Sequence, residues 1–296
     1  MRIGFIGCVE SSYSALTTLL NIKEVEVAAV VTLKESSFNS DFVDLSELCI
    51  KNNIPCIYED LKDRNKTISF FKEFQLDVIY CFGWSYLLGK ELLTLAPQGV
   101  IGYHPAKLPQ NRGRHPIIWS LVLGLKETAS TFFQMDEGAD SGPIVSQKNI
   151  LIDVEDDAKS LYSKVLSSAM KQIPEFTLAL AENRCLLREQ EHGDATYWRK
   201  RSRKDGIIDW RMSANSIHNL IRALTEPYPG AEFIWRDKFI TVMQSKLDGN
   251  TYPINIEPGK ILARNGNDLL IKCAYQGAIW ILGLSENELP LPGEYL

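Results

Sequence analysis

Short apolar runs that recur between helical stretches constrain this chain more than any other feature. Residues 2–7, 25–31, 54–58, 76–81 and 100–103 are short and almost wholly apolar, as strands buried on both faces are. Between them, residues 12–20, 44–52 and 65–74 place apolar side chains at helical spacing. Ala15, Leu16, Leu19 and Leu20 share one face of the first. A further helix ends before Pro97. Strands alternating with helices predict a doubly wound, mostly parallel α/β sheet with right-handed crossovers. Residues 117–123 then read as a helix, and 130–135 with 144–150 as a strand pair. Residues 157–183 read as one long amphipathic helix that closes the domain.

The pattern changes downstream. Residues 196–209 are polar, contain Gly206 and read as a linker, and 213–223 as a helix. From Ala231 onward, short alternating strands are separated by turn signals at Asp248-Gly249-Asn250, Glu257-Pro258-Gly259 and Asn265-Gly266-Asn267. The expected domains are therefore 1–190, a connector at 191–230, and a small β-rich domain at 231–296. A chain of 296 residues suits two domains at about 150 residues each.

Composition narrows the function classes. The chain is 45% hydrophobic and 23% charged with a net charge of -5, a globular balance that argues against a nucleic-acid partner. The six cysteines include no Cys-x-x-Cys pair, so no metal site is expected and the thiols read as free. No run approaches the roughly 20 apolar residues of a membrane span, and no signal peptide is visible. A cytoplasmic protein without membrane attachment is expected.

The chemistry concentrates between residues 99 and 144. His104 stands where a strand ends, and Pro105 stops the pairing there. In an open α/β sheet, ligands sit at the carboxyl ends of the strands. Residues 136–142 form a glycine-studded acidic loop, whose backbone a ligand can approach closely. A lone histidine or aspartate in such places is ordinarily structural. Together they offer a nitrogen base, a carboxylate to orient it and two loops to frame a flat ligand.

These blocks carry a resemblance. Gly102-Tyr103-His104-Pro105-Ala106-Lys107-Leu108-Pro109, Arg112-Gly113, Pro116 and Asp136-Glu137-Gly138-Ala139-Asp140-Ser141-Gly142-Pro143-Ile144 resemble the signature of the 10-formyltetrahydrofolate-dependent formyltransferases. That group includes methionyl-tRNA formyltransferase, glycinamide ribonucleotide transformylase and the sugar N-formyltransferases. Residues 205–210, 221–224 and 229–231 are similar to the family's connector, and 258–261 to the opening of its C-terminal OB-like domain. The resemblance implies a formyltransferase-like fold and 10-formyltetrahydrofolate as co-substrate.

It also implies site residues. His104 would move protons and stabilise the oxyanion, and Asp140 would orient it. Gly102 occupies the position of the family's catalytic asparagine. Without that side chain the oxyanion donor must be another group: Asn111, protonated His104, a backbone N–H or a water. The folate is expected against Tyr86, Leu87, Leu88, Arg114, Asp136, Glu137, Gly138, Ala139 and Asp140. For the acceptor substrate, Ser11, Ser12 and Arg112 are candidates. So are Arg201 and Arg203, from a run with five basic residues in seven at 198–204 that could contact phosphate.

The implied reaction is acyl transfer, in which an amine attacks the formyl carbon and the folate nitrogen leaves. Imidazole titrates near working pH and suits both proton transfers. The approach to residues 205–210, the Ser11-Ser12 loop and His104-Pro105-Ala106-Lys107 resemble the sugar enzymes, and that resemblance implies a nucleotide-linked amino sugar of surface glycans as acceptor, pseudaminic-acid types among them. Methionyl-tRNA formylation, hydrolysis of the folate formyl group and non-catalytic binding of folate or sugar stay open. So does a homodimer. Residues 7–13 lack the full Gly-x-Gly-x-x-Gly fingerprint and no acidic residue ends the second strand, which argues against a dehydrogenase.

Overall fold

The computed structural model of the chain describes residues 1–36, 41–60, 65–285 and 288–296. It divides into two compact units. The first comprises residues 1–113, 128–150 and 164–197, and the second residues 114–127, 151–163 and 198–296.

A seven-stranded sheet organises the first unit. Its strands are β1 (Arg2–Ile6), β2 (Glu26–Thr32), β3 (Cys56–Tyr58), β4 (Val78–Cys81), β5 (Val100–His104), β7 (Glu127–Gln134) and β8 (Ile144–Leu151). They lie in the order β3-β2-β1-β4-β5-β7-β8. The first five in this order run parallel, and β7 joins β5 antiparallel. The helices interspersed along the chain are α1 (Glu10–Leu20), α2 (Ser46–Lys51), α3 (Asn65–Lys72), α4 (Lys90–Leu93), α5 (Pro116–Val122) and α6 (Ala158–Ala181).

Both faces of the sheet are covered, which is why the strands read as continuous apolar runs rather than alternating ones. On one face, Phe5, Tyr80 and Phe132 pack with Leu16 of α1 and Ile173 and Phe176 of α6. On the other, Ile6, Ile79 and Val100 pack with Phe71 of α3 and Leu92 and Leu93 of α4. Successive residues of β4 thus serve opposite cores, as the pleat requires. The carboxyl ends of β1, β4 and β5 are left to loops, and His104 is the last residue of β5.

The segment read as a linker is more ordered than expected. Strand β9 (Tyr197–Trp198) pairs with β6 (Arg112–Gly113) in a two-stranded sheet. Arg112 N donates to the Thr196 carbonyl at 2.9 Å. Residues Arg203–Gly206 then form a 3-10 turn capped by Ser202 and Asp205.

The second unit is built from α5, α7 (Ala214–Leu224) and antiparallel strands. Strands β10 (Ala231–Trp235) and β11 (Lys238–Val242) form a hairpin. Strands β12 (Gln244–Leu247), β13 (Ile261–Asn265), β14 (Asp268–Lys272) and β15 (Ala278–Leu282) form a sheet in the order β12-β15-β14-β13. Gly266-Asn267 is the turn between β13 and β14, as the sequence predicts. Helix α7 packs on α5, β12 and β15. Among the described residues, no helix is long and apolar enough to cross a membrane.

Candidate active site

Strand β5 delivers His104 to the edge of the sheet, where it is 4% exposed. Its Nε2 lies 2.7 Å from the Asn111 carbonyl oxygen. A carbonyl only accepts, so Nε2 carries a hydrogen and donates it. Nδ1 then faces the Asp140 carboxylate, with Oδ2 at 3.6 Å. That distance is too long for a hydrogen bond and becomes an ion pair only when the ring is protonated. The ring is therefore held through one nitrogen and leaves the other for chemistry beside a carboxylate.

Asp140 is held as firmly. Its backbone is in the left-handed region at φ 55°, where a short polar side chain is tolerated. Its Oδ2 accepts the Gly113 N–H at 2.8 Å. Gln190, 5% exposed, donates from Nε2 to the Asp140 carbonyl at 2.9 Å and to the Gly142 carbonyl at 2.6 Å. A Cβ on Gly142 would run into the Gln134 carbonyl, so only glycine lets the loop close against β7. Upstream, Asp136 Oδ1 accepts from Gly138 N at 3.0 Å and Ser141 Oγ at 2.7 Å. Asp136, Glu137, Gly138 and Ala139 are exposed.

Gly102 lies two residues before His104 on the same strand. A Cβ there would sit 2.7 Å from Met135 Cγ and 3.1 Å from Phe133 Cζ. The volume a residue-102 side chain would enter is filled by apolar groups, and neither is a hydrogen-bond donor. Asn111, in the left-handed region at φ 63°, reaches His104 through its carbonyl oxygen.

Tyr86, Leu87 and Leu88 line a cavity of about 280 Å³. Its apolar walls include Ile6, Val31 and Trp84, and its polar members include Glu59 and Thr67. The Trp84 and Tyr86 rings meet edge to face at 5.6 Å. Lys90, on the rim, pairs with Glu137 of the acidic loop at 3.1 Å. The loop 136–140 does not itself line the cavity. Arg114 is exposed and belongs to the second unit, where its backbone N–H bonds the Trp198 carbonyl.

The residues named for the acceptor are more committed than their sequence suggests. Ser12 is fully enclosed, and its Oγ donates to the Phe82 carbonyl at 2.6 Å and accepts from Cys8 N and Val9 N. Ser11 is half-buried near Phe82 and Tyr103. Arg112 is 1% exposed and donates to Gln190 Oε1 at 2.7 Å and Tyr197 OH at 2.8 Å, with His192 Nδ1 at 3.1 Å. In the second unit, Arg199 pairs with Asp205 and holds its carboxyl well below the usual carboxylate range. Arg201 is buried over the Trp119 ring and bonds the Asp205 carbonyl at 2.5 Å. Arg203 pairs with Glu232 at 2.7 Å. Burial, then the charges of Arg201, Arg114 and Lys200, push His115 down.

Sequence reasoning passed over Gln190, Gly113 and the Asn111 carbonyl. Gln190 bridges Arg112 to the two carbonyls of the acidic loop, yet a single glutamine in a polar stretch carries no local signature. Asn111 was weighed for its side chain, whereas its backbone oxygen makes the contact.

Comparison with known proteins places this arrangement. The sequence pattern of the formyl transferase family matches residues 10–177, and that of the formyl transferase C-terminal domain matches residues 200–293. The bifunctional polymyxin resistance protein ArnA of Wigglesworthia glossinidia brevipalpis is 33% identical over 275 residues, covering 92% of this chain and 41% of that protein. The chain thus spans about two fifths of that relative's length. Among solved structures, WlaRD, a sugar 3N-formyl transferase with dTDP and 5-N-formyl-THF, aligns with TM-score 0.72 and 18% identity over 98% of this chain and 99% of its own. The N-formyltransferase of Helicobacter canadensis with folinic acid and dTDP-3-aminofucose aligns with TM-score 0.74 and 17% identity over 95% and 98%. At those identities the likeness speaks for the fold. The two family matches and the ArnA relative together make this chain a member of the formyl transferase family.

Proposed function

We propose that the chain transfers a formyl group from 10-formyltetrahydrofolate to the amine of a nucleotide-linked amino sugar. The observation that carries this reading is the buried His104 beside the half-buried Asp140, with Nε2 tied to a carbonyl and Nδ1 left beside the carboxylate. Family membership supplies the reaction class. The ligands of WlaRD and the Helicobacter canadensis enzyme suggest the chemical types of donor and acceptor.

The residues present suit a folate. The cavity of about 280 Å³ lies near the lower end of ligand pockets, about 300 Å³, and combines flat apolar walls with a polar edge. Such a site fits a bicyclic heterocycle with a hydrogen-bonding rim. Tyr86, Leu87 and Leu88 would flank the ring, with residues 136–140 along the remainder of the molecule; Arg114 stays a folate candidate of the second unit.

The bound donor supplies an activated formyl group on nitrogen. His104 Nδ1 takes a proton from the attacking amine and returns one to the departing nitrogen. Asp140 keeps the ring oriented and balances the imidazolium that forms. Gly102 offers no side chain to the growing oxyanion, so that charge falls to the protonated His104. Losing a dedicated donor costs about 10²–10³ in rate, so slow turnover is expected. On the acceptor side, Ser11 is the candidate contact of the first unit, where Arg112 and Ser12 would act by fixing their own loops. In the second unit, Arg203 would exchange Glu232 for a phosphate, with Arg201 as a further candidate. We place the activity in the cytoplasm, where the six free thiols stay reduced.

The test is a screen of folate-dependent formylation across nucleotide-linked 3- and 4-amino sugars, pseudaminic-acid precursors included, with initiator tRNA as a further acceptor. Formylated sugar, formed only when donor and sugar are both present, is expected. Donor consumption that is independent of any amine would make the protein a hydrolase. Formylated tRNA in place of formylated sugar would make it a tRNA enzyme.

A further inference from the structure

We propose that the second unit carries a ligand site of its own, a cationic cavity that takes a compact anion bearing a diphosphate group. The cavity measures about 730 Å³ and is formed by one face of α7, by β12 and by the chain at 124–126 and 154–155. That volume is well inside the ligand-pocket range of about 300–1,000 Å³. A second cavity of about 260 Å³ shares Glu155, His218 and Arg222 with it and extends it. None of the lining residues belongs to the His104 site, and the proposal does not depend on the reading of that site.

The donor set points to an anion. Lys126, Arg222 and Lys246 face Glu155 as the single carboxylate of the larger cavity. Among the described residues, neither lysine has a carboxylate partner. The guanidinium of Arg222 is fixed by hydrogen bonds to uncharged groups, with the Asp156 and Glu155 carboxylates near enough to act on its charge. Its Nε donates to Asn219 Oδ1 at 2.9 Å, and its Nη1 to the carbonyls of Asp153 at 3.2 Å and Asp156 at 2.7 Å. These acceptors are uncharged, and among the described residues Nη2 makes no hydrogen bond, so the guanidinium presents a preorganised charge to the cavity. A guanidinium of this kind recognises phosphate oxygens in a fork.

Neutral donors surround it. His218 Nδ1 meets Ser245 Oγ at 2.9 Å, which leaves Nε2 for a ligand. Burial, then the charge of Arg222, pushes His218 below its ordinary value. The Asn219 amide is turned toward Gly124, where a Cβ would sit 2.8 Å from Nδ2. A concave wall of one predominant sign concentrates counter-ions. Two lysines and one fixed guanidinium exceed what a single monoanion needs, and two linked phosphates match them.

The test is hydrogen–deuterium exchange of the full chain with inorganic pyrophosphate, and separately with adenosine diphosphate. Protection of residues 214–224 and 244–247 is expected. The Lys126→Gln/Lys246→Gln double variant should weaken that binding at least about tenfold, because two charge-assisted contacts are lost. Both lysines are exposed, so this variant keeps the fold. Arg222→Gln is the sharper substitution but also releases the loop at 153–156, and it serves only beside the lysine variant. Stronger protection by adenosine diphosphate assigns the group to a nucleotide, and equal protection assigns it to the free anion. No protection of these segments at millimolar concentration of either, or protection that survives loss of both lysines, overturns the proposal.

Discussion

The acidic loop at residues 136–142 and the basic run at residues 199–204 look like equals in the sequence, each a short cluster of charge beside a motif block. The fold treats them differently. In the loop, Gln190 and Gly113 hold Asp140 by its carbonyl and one carboxylate oxygen, and the carboxylate still faces His104. In the run, Asp205 takes Arg199, the Asp205 carbonyl and the Trp119 ring take Arg201, and Glu232 takes Arg203. The difference is one of anchoring. A charge is available for chemistry when its backbone is pinned and its head is left facing the site. A head that neighbours already neutralise must give up a partner before it can meet a ligand.

The largest expected effect is at the pinned pair. His104→Ala and Asp140→Asn should each lower kcat by about 10² or more with the fold intact. Steady-state assays at saturating donor and acceptor, beside circular dichroism, measure both. Activity retained in either variant would break the comparison at its first term.

Next comes the anchor. Gln190→Leu removes the acceptor of a buried guanidinium and the donor to two carbonyls. It should cost on the order of 3 kcal/mol in stability. It should also lower kcat about tenfold, because a loosened loop misplaces Asp140. Denaturant melts and kinetics at a temperature where the variant is folded separate the two effects. A destabilised variant with unchanged kcat would mean that Asp140 needs no such support.

The basic run gives a smaller effect. Replacing Arg201 and Arg203 by alanine should raise the acceptor KM about tenfold while sparing the donor KM and kcat, as loss of uniform binding does. The rise should shrink with added salt. An unchanged acceptor KM would assign the run wholly to the scaffold and sharpen the contrast with the acidic loop.

The smallest change is at Gly102. An asparagine there must displace Met135, whose Cγ would lie 2.7 Å from the new Cβ. We expect Gly102→Asn to lower kcat by a small factor. A faster variant would reject the assignment of the oxyanion to His104.

Much of this was legible in the sequence, for reasons the structure makes plain. β1, β4 and β5 are buried on both faces, so they are written as unbroken apolar runs. The β13–β14 turn announces itself as Asn265-Gly266-Asn267. His104 and Asp140 were visible because their neighbours form long motif blocks. The β6–β9 pairing was not visible, since two-residue strands have no period and Arg112 meets Thr196 across 84 residues of sequence. The grouping of residues 114–127 and 151–163 with the C-terminal strands was likewise hidden, because packing, not local pattern, decides it. The neutralisation of the basic run depends on Glu232, which stands on a strand of its own.

The central claim is that His104 moves the proton in formyl transfer to a sugar amine. Its most direct test is a single-turnover reaction of 10-formyltetrahydrofolate with a nucleotide-linked amino sugar, followed by mass spectrometry of the sugar, for the parent and for His104→Ala. The account predicts formylated sugar from the parent and a rate lower by about 10² or more from the variant. Formylated sugar appearing at equal rates in both would contradict it.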